Sequence, residues 1–223
     1  MSNPDSFIDE VTEEVRRDKL FAMMKRYGWI AILLVLLLVA GTAWREYAQA
    51  RDAAKAQSFG DAIMGALELQ EPEARIAQLE SVQTDDTGAK AILQMLVAAE
   101  QGSEGNDAAA VAQLQAVADN TEVPKIYRQI ASYKALARGA DILTLDERRA
   151  GLEALAVPGQ PLRLLAEEQL ALVDIEAGNK DAALERLKNL VQDAEVTAGL
   201  RRRASQLIVA LGGSLDDLTV QDS

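Results

Sequence analysis

The sequence predicts an all-α protein in which a single N-terminal transmembrane helix precedes an array of packed helices. Residues 28–44, GWIAILLVLLLVAGTAW, form a run of 17 residues without a charge. As a helix this run spans roughly 25 Å, near the short limit for crossing a bilayer. Alanine and leucine dominate the hydrophobic fraction of 49%, aromatics make up only 4%, and alternating runs of valine, isoleucine and threonine are absent. This composition favours helices packed on helices.

The first 27 residues are predicted to form a cytoplasmic arm with a short helix. Asn3 before Pro4 suits a helix start, and Ser6 with Asp9 resembles a capping box. The apolar residues of the arm do not keep to one continuous stripe. Two interpretations stay open: an exposed helix that leads into the membrane, and a helix that docks on a partner or on the membrane surface.

The run 28–44 is predicted to be an uncleaved membrane anchor with its N-terminus inside the cell. Five cations shortly precede it and three follow it over a comparable distance, and cytoplasmic flanks carry the excess of positive charge. The five are Arg16, Arg17, Lys19, Lys25 and Arg26, and the three are Arg45, Arg51 and Lys55. Tyr27 and Trp29 at one end, with Trp44 and Tyr47 at the other, suit the two membrane interfaces.

Two other interpretations of the run 28–44 are less favoured. A cleaved signal peptide has a candidate cleavage site at Ala48-Gln49-Ala50, but the 27 residues before the run are too long and too acidic for one. A core helix of a soluble protein would be apolar on one side, whereas residues 30–39 are apolar all round.

Residues 45–211 are predicted to form the exported helical domain. The span is expected to run on into the first soluble helix, because no glycine or proline occurs from Trp44 to Phe59. The predicted first helices lie near residues 46–69, 88–102, 124–139 and 161–177, and their partners near 73–83, 107–119, 145–156 and 180–192. A final helix over 197–211 would cap the open end. The Gly212-Gly213 pair ends it, and residues 212–223 are predicted to be an acidic, flexible tail.

An internal repeat underlies this assignment of helices. Shifted by 73 residues, a segment that begins at Gly105 matches one that begins at Gly178. The matched pairs are Gly105 and Gly178, Asn106 and Asn179, Ala109 and Ala182, Ala110 and Ala183, Val111 and Leu184, Leu114 and Leu187, Val117 and Leu190, Val123 and Val196, and Ala131 and Ala204. The shift is about twice the repeat length of roughly 34 residues in helix–turn–helix arrays, which predicts about four helix pairs.

The pattern Leu170-Ala171, Gly178, Ala182-Ala183 and Leu187 resembles the tetratricopeptide repeat. The whole layout, with the opening FIDEVTEEVRRDKLFAMMKRYGWIAILLVLLLV, is similar to the bacterial family of the ancillary SecYEG translocon subunit. The resemblance implies a tetratricopeptide-like α-solenoid in the periplasm, held by one helix in the inner membrane. It also implies protein partners, namely the translocon and periplasmic chaperones or newly exported chains.

No reaction chemistry is visible in the sequence, so we expect no enzyme, no cofactor, no metal and no small-molecule substrate. The chain lacks histidine and cysteine, the commonest bases, nucleophiles and soft metal ligands. Asp85-Asp86 and Asp216-Asp217 lack the spacing of a calcium loop. Ser132 and Lys134 are two apart on a helix and point to different faces. The net charge of −12 argues against nucleic acid.

Five residues are candidate partner-binding positions. Tyr127 and Tyr133 lie on one predicted helix and are expected in the core or in a groove. Arg201, Arg202 and Arg203 form a basic cluster that either is a solvated face paired with nearby acids or docks an acidic partner. Residues 45–223 carry a net charge of −11, with 18 Lys and Arg against 29 Asp and Glu, so the domain should favour basic or apolar segments of partners.

The sequence leaves three functions of this protein to be distinguished. The first is a membrane-anchored interaction protein that tethers export machinery and periplasmic chaperones at one membrane. The second is a scaffold of the same architecture in envelope assembly or cell division. The third is a carboxylate-dependent hydrolase, which the missing histidine and cysteine disfavour.

Overall fold

A computed structural model describes the backbone of residues 4–214, with side chains at residues 17, 20–30 and 32–214. Over this part of the chain the protein is all-helical and contains no strand. The expectations for Asn3, for the apolar side chains of residues 7–15 and for most of the acidic tail lie outside the described residues. The helices are α1 (Pro4–Leu67), α2 (Pro72–Ser81), α3 (Thr87–Ser103), α4 (Asp107–Asp119), α5 (Lys125–Arg138), α6 (Leu145–Leu155), α7 (Arg163–Glu176), α8 (Lys180–Gln192) and α9 (Ala198–Ala210).

Helix α1 is one unbroken helix, so the arm, the apolar run and the first soluble helix are continuous. The sequence predicts that the apolar run continues into the first soluble helix, and the described part of the arm belongs to the same helix. No proline follows Pro4 within α1, and its single glycines are not enough to end a helix. The part from Leu20 to Leu67 is long and apolar enough to cross a membrane, and none of its apolar window is buried inside the protein.

The chain divides into two compact units, Met1–Ser58 and Phe59–Ser223. The first is made of α1 alone among the described residues, and the second holds the end of α1 and all the later helices. Local signals explain where these helices begin. Asp86 accepts a hydrogen bond from the Ala89 amide at 2.7 Å, and Thr144 makes a capping box with Glu147.

The core of the second unit consists of four apolar clusters, and each joins helices that follow one another in sequence. The end of α1 packs with α2 and α3 around Leu79, and α3, α4 and α5 pack around Val111. Leu152 lies in the cluster of α5 to α7, and Leu187 in that of α7 to α9. Each of these four central side chains is almost fully buried. Neighbour-on-neighbour packing of this kind is the arrangement found in helical arrays.

The two segments related by 73 residues fold alike at their glycine turns. Gly105 has φ +78° and Gly178 has φ +76°, a backbone conformation that favours glycine. Asn106, with φ −88° and ψ 59°, matches Asn179, with φ −87° and ψ 62°. The backbone N–H of each asparagine donates to the backbone carbonyl five residues earlier, at 3.0 Å for Asn106 and 2.8 Å for Asn179. The repeat detected in the sequence is therefore a repeat of backbone geometry.

The turn after the first helix of each segment, α4 or α8, matches as well. The Glu122 amide donates to the side chain of Asn120 at 3.0 Å, and the Glu195 amide donates to the side chain of Asp193 at 2.9 Å. The valine that follows each turn is buried, with 4% of Val123 and 8% of Val196 exposed. At the helix crossings Ala110 and Ala183 are both fully buried. Small side chains there let the helices pack closely.

The predicted helix boundaries in the second unit are confirmed to within two residues. The unforeseen feature is a short 3-10 turn, Gly139–Asp141, between α5 and α6. The Leu143 side chain covers Gly139 so closely that a methyl group there would lie 2.7 Å from it. Gly212, with φ +73°, follows the end of α9, as the sequence predicts.

Candidate partner-binding surface

Two charged side chains from α7 and α9 pair with each other, and a tyrosine of α5 lies near both. Arg203 donates from Nε and Nη2 to the two carboxylate oxygens of Glu168, each at 2.7 Å. Only 7% of the Glu168 side chain is exposed, against 52% of the Arg203 side chain. Paired bonds of this kind are among the strongest that side chains make, and the bond to Glu168 raises the pKa of Arg203.

Tyr133 completes this group from α5. Its half-buried ring packs against the apolar cluster of α5 to α7, and its hydroxyl shares a hydrogen bond with the side chain of Gln169. Burial is the main cause that raises the pKa of Tyr133 above its ordinary value; the bond with Gln169 opposes it and the nearby Glu168 adds to it. We call Tyr133, Glu168 and Arg203 the polar triad. Its members are spaced by 35 residues, close to one repeat length.

A cavity of about 440 Å³ lies beside Tyr133, between α3, α4 and α5. Its lining includes three alanines, Ala98, Ala99 and Ala137, together with Met95 and the two cations Lys134 and Arg138. Arg138 pairs with Asp107 at 2.6 Å, whereas Lys134 is exposed. Small side chains leave room for an apolar side chain of a partner, so this cavity and the polar triad form the candidate surface.

Tyr127, the other tyrosine singled out in the sequence, packs in a different cluster from Tyr133. It lies against the core of α3 to α5, whereas Tyr133 lies against that of α5 to α7. Its ring covers Gly88 at the start of α3, where an added methyl group would come within 2.9 Å of its Cε2 atom. The structure thus gives Tyr127 a packing contact with Gly88.

The three arginines of α9 are all exposed, and two of them bond to different helices or their ends. Arg201 donates from Nε to the carbonyl of Val191 at 3.2 Å, near the end of α8. Arg202 is exposed, and Arg203 belongs to the polar triad. Successive helix positions are rotated by about 100°, so three neighbours reach three different surroundings.

Buried charges in α6 to α8 are the features that sequence reasoning missed. Asp174 lies between Arg149 at 2.7 Å and Arg186 at 3.2 Å, and Arg148 pairs with Glu176. Only 3% of the Asp174 side chain and 3% of the Arg148 side chain are exposed. These pairs hold neighbouring helices together.

One sequence signal could have found Glu168. The residues three or four positions away from it, and the one seven positions later, are all apolar: Leu164, Leu165, Ala171, Leu172 and Ile175. An acid on the apolar side of a helix needs a buried partner. Its partner lies on another helix, which no local pattern reveals.

The residues considered for chemistry have other roles or no shared site. Among the described residues no group of three metal-ligating side chains occurs. Asp86 caps α3 and Asp85 is exposed, while Asp216-Asp217 lies outside the described residues.

No known protein family matches this chain, and neither a curated protein nor a solved structure matches it.

Proposed function

We propose that this chain is a single-pass membrane protein whose helical domain, a tetratricopeptide-like solenoid of about four helix pairs with a capping helix, binds partner proteins in the periplasm. The observation that carries the proposal is the exposed apolar run of α1, which continues directly into the helical domain. Leu36 and Leu38 in its middle are 62% and 69% exposed. Such a surface is stable only against lipid or protein.

The energy involved is large. Residues 30–39 include nine leucine, isoleucine and valine side chains. Moving them out of water is worth on the order of 10–20 kcal/mol, as much as the stability of a whole domain. A membrane removes this cost on every side of the helix at once, whereas a protein partner would have to surround it.

The repeat geometry supports the solenoid. The turns at Gly105 and Gly178 share dihedral angles and hydrogen bonds, and the clusters join consecutive helices. Arrays of this type bind other proteins on an extended surface. The resemblance in layout and in the opening segment to the ancillary SecYEG translocon subunit adds the partners. We propose that the protein tethers periplasmic chaperones or newly exported chains beside the translocon and raises the effective concentration of their encounter.

The first test concerns membrane topology. Because the chain contains no cysteine, a single introduced cysteine is a unique labelling site. Two single-cysteine variants, Ser6→Cys and Ser103→Cys, are treated with a maleimide that does not cross membranes. We expect Ser103→Cys to react in intact spheroplasts and Ser6→Cys only after lysis. The reverse pattern would contradict the predicted orientation, and equal labelling of both would contradict the span.

Partners are tested by crosslinking in cells, capture in mild detergent and identification of the captured proteins. The control is a chain that begins after Trp44 and is exported by an unrelated signal peptide. We expect this shortened chain to be soluble, folded and helical, and to lose the membrane partners of the full chain. An unfolded fragment, or one that captures the same membrane proteins equally well, would contradict the proposed anchor. Capture of division proteins, with localisation at the division site, would favour the envelope scaffold instead.

A further inference from the structure

Helix α1 carries a second exposed apolar segment before the predicted span. Leu20, Phe21, Met23 and Met24 are 57%, 62%, 56% and 66% exposed. Lys25 and Arg26, both exposed, separate this segment from the run 28–44. Anchoring by the run 28–44 does not require these side chains.

The positions of Met24, Lys25 and Arg26 along the helix place them at the membrane interface. Leu36 is the middle residue of the run 28–44. At 1.5 Å per residue, Arg26 and Lys25 lie about 15–17 Å from it, at the edge of a hydrocarbon core roughly 30 Å thick. Met24, about 18 Å from it, lies in the headgroup layer, which reaches about 20–22 Å from the centre, and Leu20, about 24 Å from it, lies beyond that layer. The two cations therefore lie where the hydrocarbon core meets the headgroup layer.

The direction of the side chains suits the same location. Leu20, Met24 and Tyr27 follow the spacing of one helix face, while Lys25 and Arg26 point away from it. The Arg26 guanidinium lies 5.8 Å from the centre of the Tyr27 ring. Long cationic side chains extend toward phosphates while their stems remain on apolar surface.

The other end of the run is different. There Arg45 is followed directly by Glu46, so the two charges cancel. Excess positive charge beside an apolar helix attracts anionic lipids, and the N-terminal end has more of it.

We propose that Lys25 and Arg26 form a binding site for the headgroups of anionic phospholipids. This site rests on the proposed transmembrane segment and gives that segment a lipid partner at one end.

The two tryptophans of the chain, Trp29 and Trp44, report on the two ends separately. Full-length protein is reconstituted in vesicles of equal parts phosphatidylcholine and phosphatidylglycerol. In one preparation only the phosphatidylglycerol is brominated, and in a second only the phosphatidylcholine is. Bromine quenches tryptophan fluorescence on contact. The Trp44→Phe variant isolates Trp29, and Trp29→Phe isolates Trp44.

We expect brominated phosphatidylglycerol to quench Trp29 about fivefold more effectively than brominated phosphatidylcholine, the factor that a single cation at an anionic surface contributes. The double substitution Lys25→Gln and Arg26→Gln should bring this ratio close to one. The ratio at Trp44 should already be close to one, and Arg45→Gln should leave the ratio at Trp29 unchanged.

Equal quenching of Trp29 by both lipids, or a preference that survives the double substitution, would overturn the lipid site and leave the span intact. If neither tryptophan is quenched by any brominated lipid, the span itself is wrong, and the lipid site falls with it. The two failures are therefore distinguishable.

Discussion

Replacement of Arg203 by alanine tests whether the polar triad holds α7 and α9 together. The substitution leaves the Glu168 carboxylate, of which only 7% is exposed, without two charge-assisted hydrogen bonds of 2.7 Å. Tyr133 stays beside this carboxylate and its hydroxyl is already bonded to Gln169.

The cost follows from the burial of the two partners. Removal of one member of a fully buried ion pair costs about 3–5 kcal/mol. Because 52% of the Arg203 side chain is exposed, water reaches the space that it vacates, and we lower the expected cost to about 2 kcal/mol. In a domain of this size each kcal/mol shifts Tm by about 2–4 °C, so we expect Tm to fall by about 4–8 °C.

Thermal unfolding of the full-length protein in one mild detergent, followed by circular dichroism at 222 nm, measures this change. The matched control is Arg202→Ala, one position away and exposed, which should lower Tm by less than about 2 °C. In a Glu168→Gln background, Arg203→Ala should cost under about 1 kcal/mol, because the buried charge is gone. Equal losses for Arg202→Ala and Arg203→Ala, or an undiminished loss in the Glu168→Gln background, would refute the pairing.

Three more outcomes follow from single side chains. Gly178→Ala should destabilise the helical domain by about 1–2 kcal/mol, because the backbone at Gly178 has a positive φ. Gly199→Ala, inside α9 and with open space around it, should stabilise the domain by about 0.5–1 kcal/mol. Urea unfolding measures both changes. Asp86→Ala removes the cap of α3 and should cost about 1 kcal/mol, and Asp85→Ala should change little in the same assay. Tyr133 should ionise above its ordinary pKa in absorbance at 295 nm. Its contribution to stability is complete below pH 10 and is lost as the pH rises through the folded-state pKa, a loss that the phenylalanine variant should not show.

Local signals in the sequence were enough for the helices and their ends. Apolar residues recur with the helical period, and Gly105 and Gly178 follow helix ends. Each of these features acts over a few residues, so it is visible without knowledge of the rest of the chain.

Which polar side chains are buried, and with which partners, came only from the packing of the helices. Nothing in the sequence joined Glu168 to Arg203 or Asp174 to Arg149, since each pair connects different helices. Arg201 bonds to the carbonyl of Val191 and Arg203 to Glu168, because the rotation of a helix directs successive residues to different neighbours. Such pairings depend on how separate helices turn toward one another, and that is decided when apolar surfaces far apart in the chain pack together.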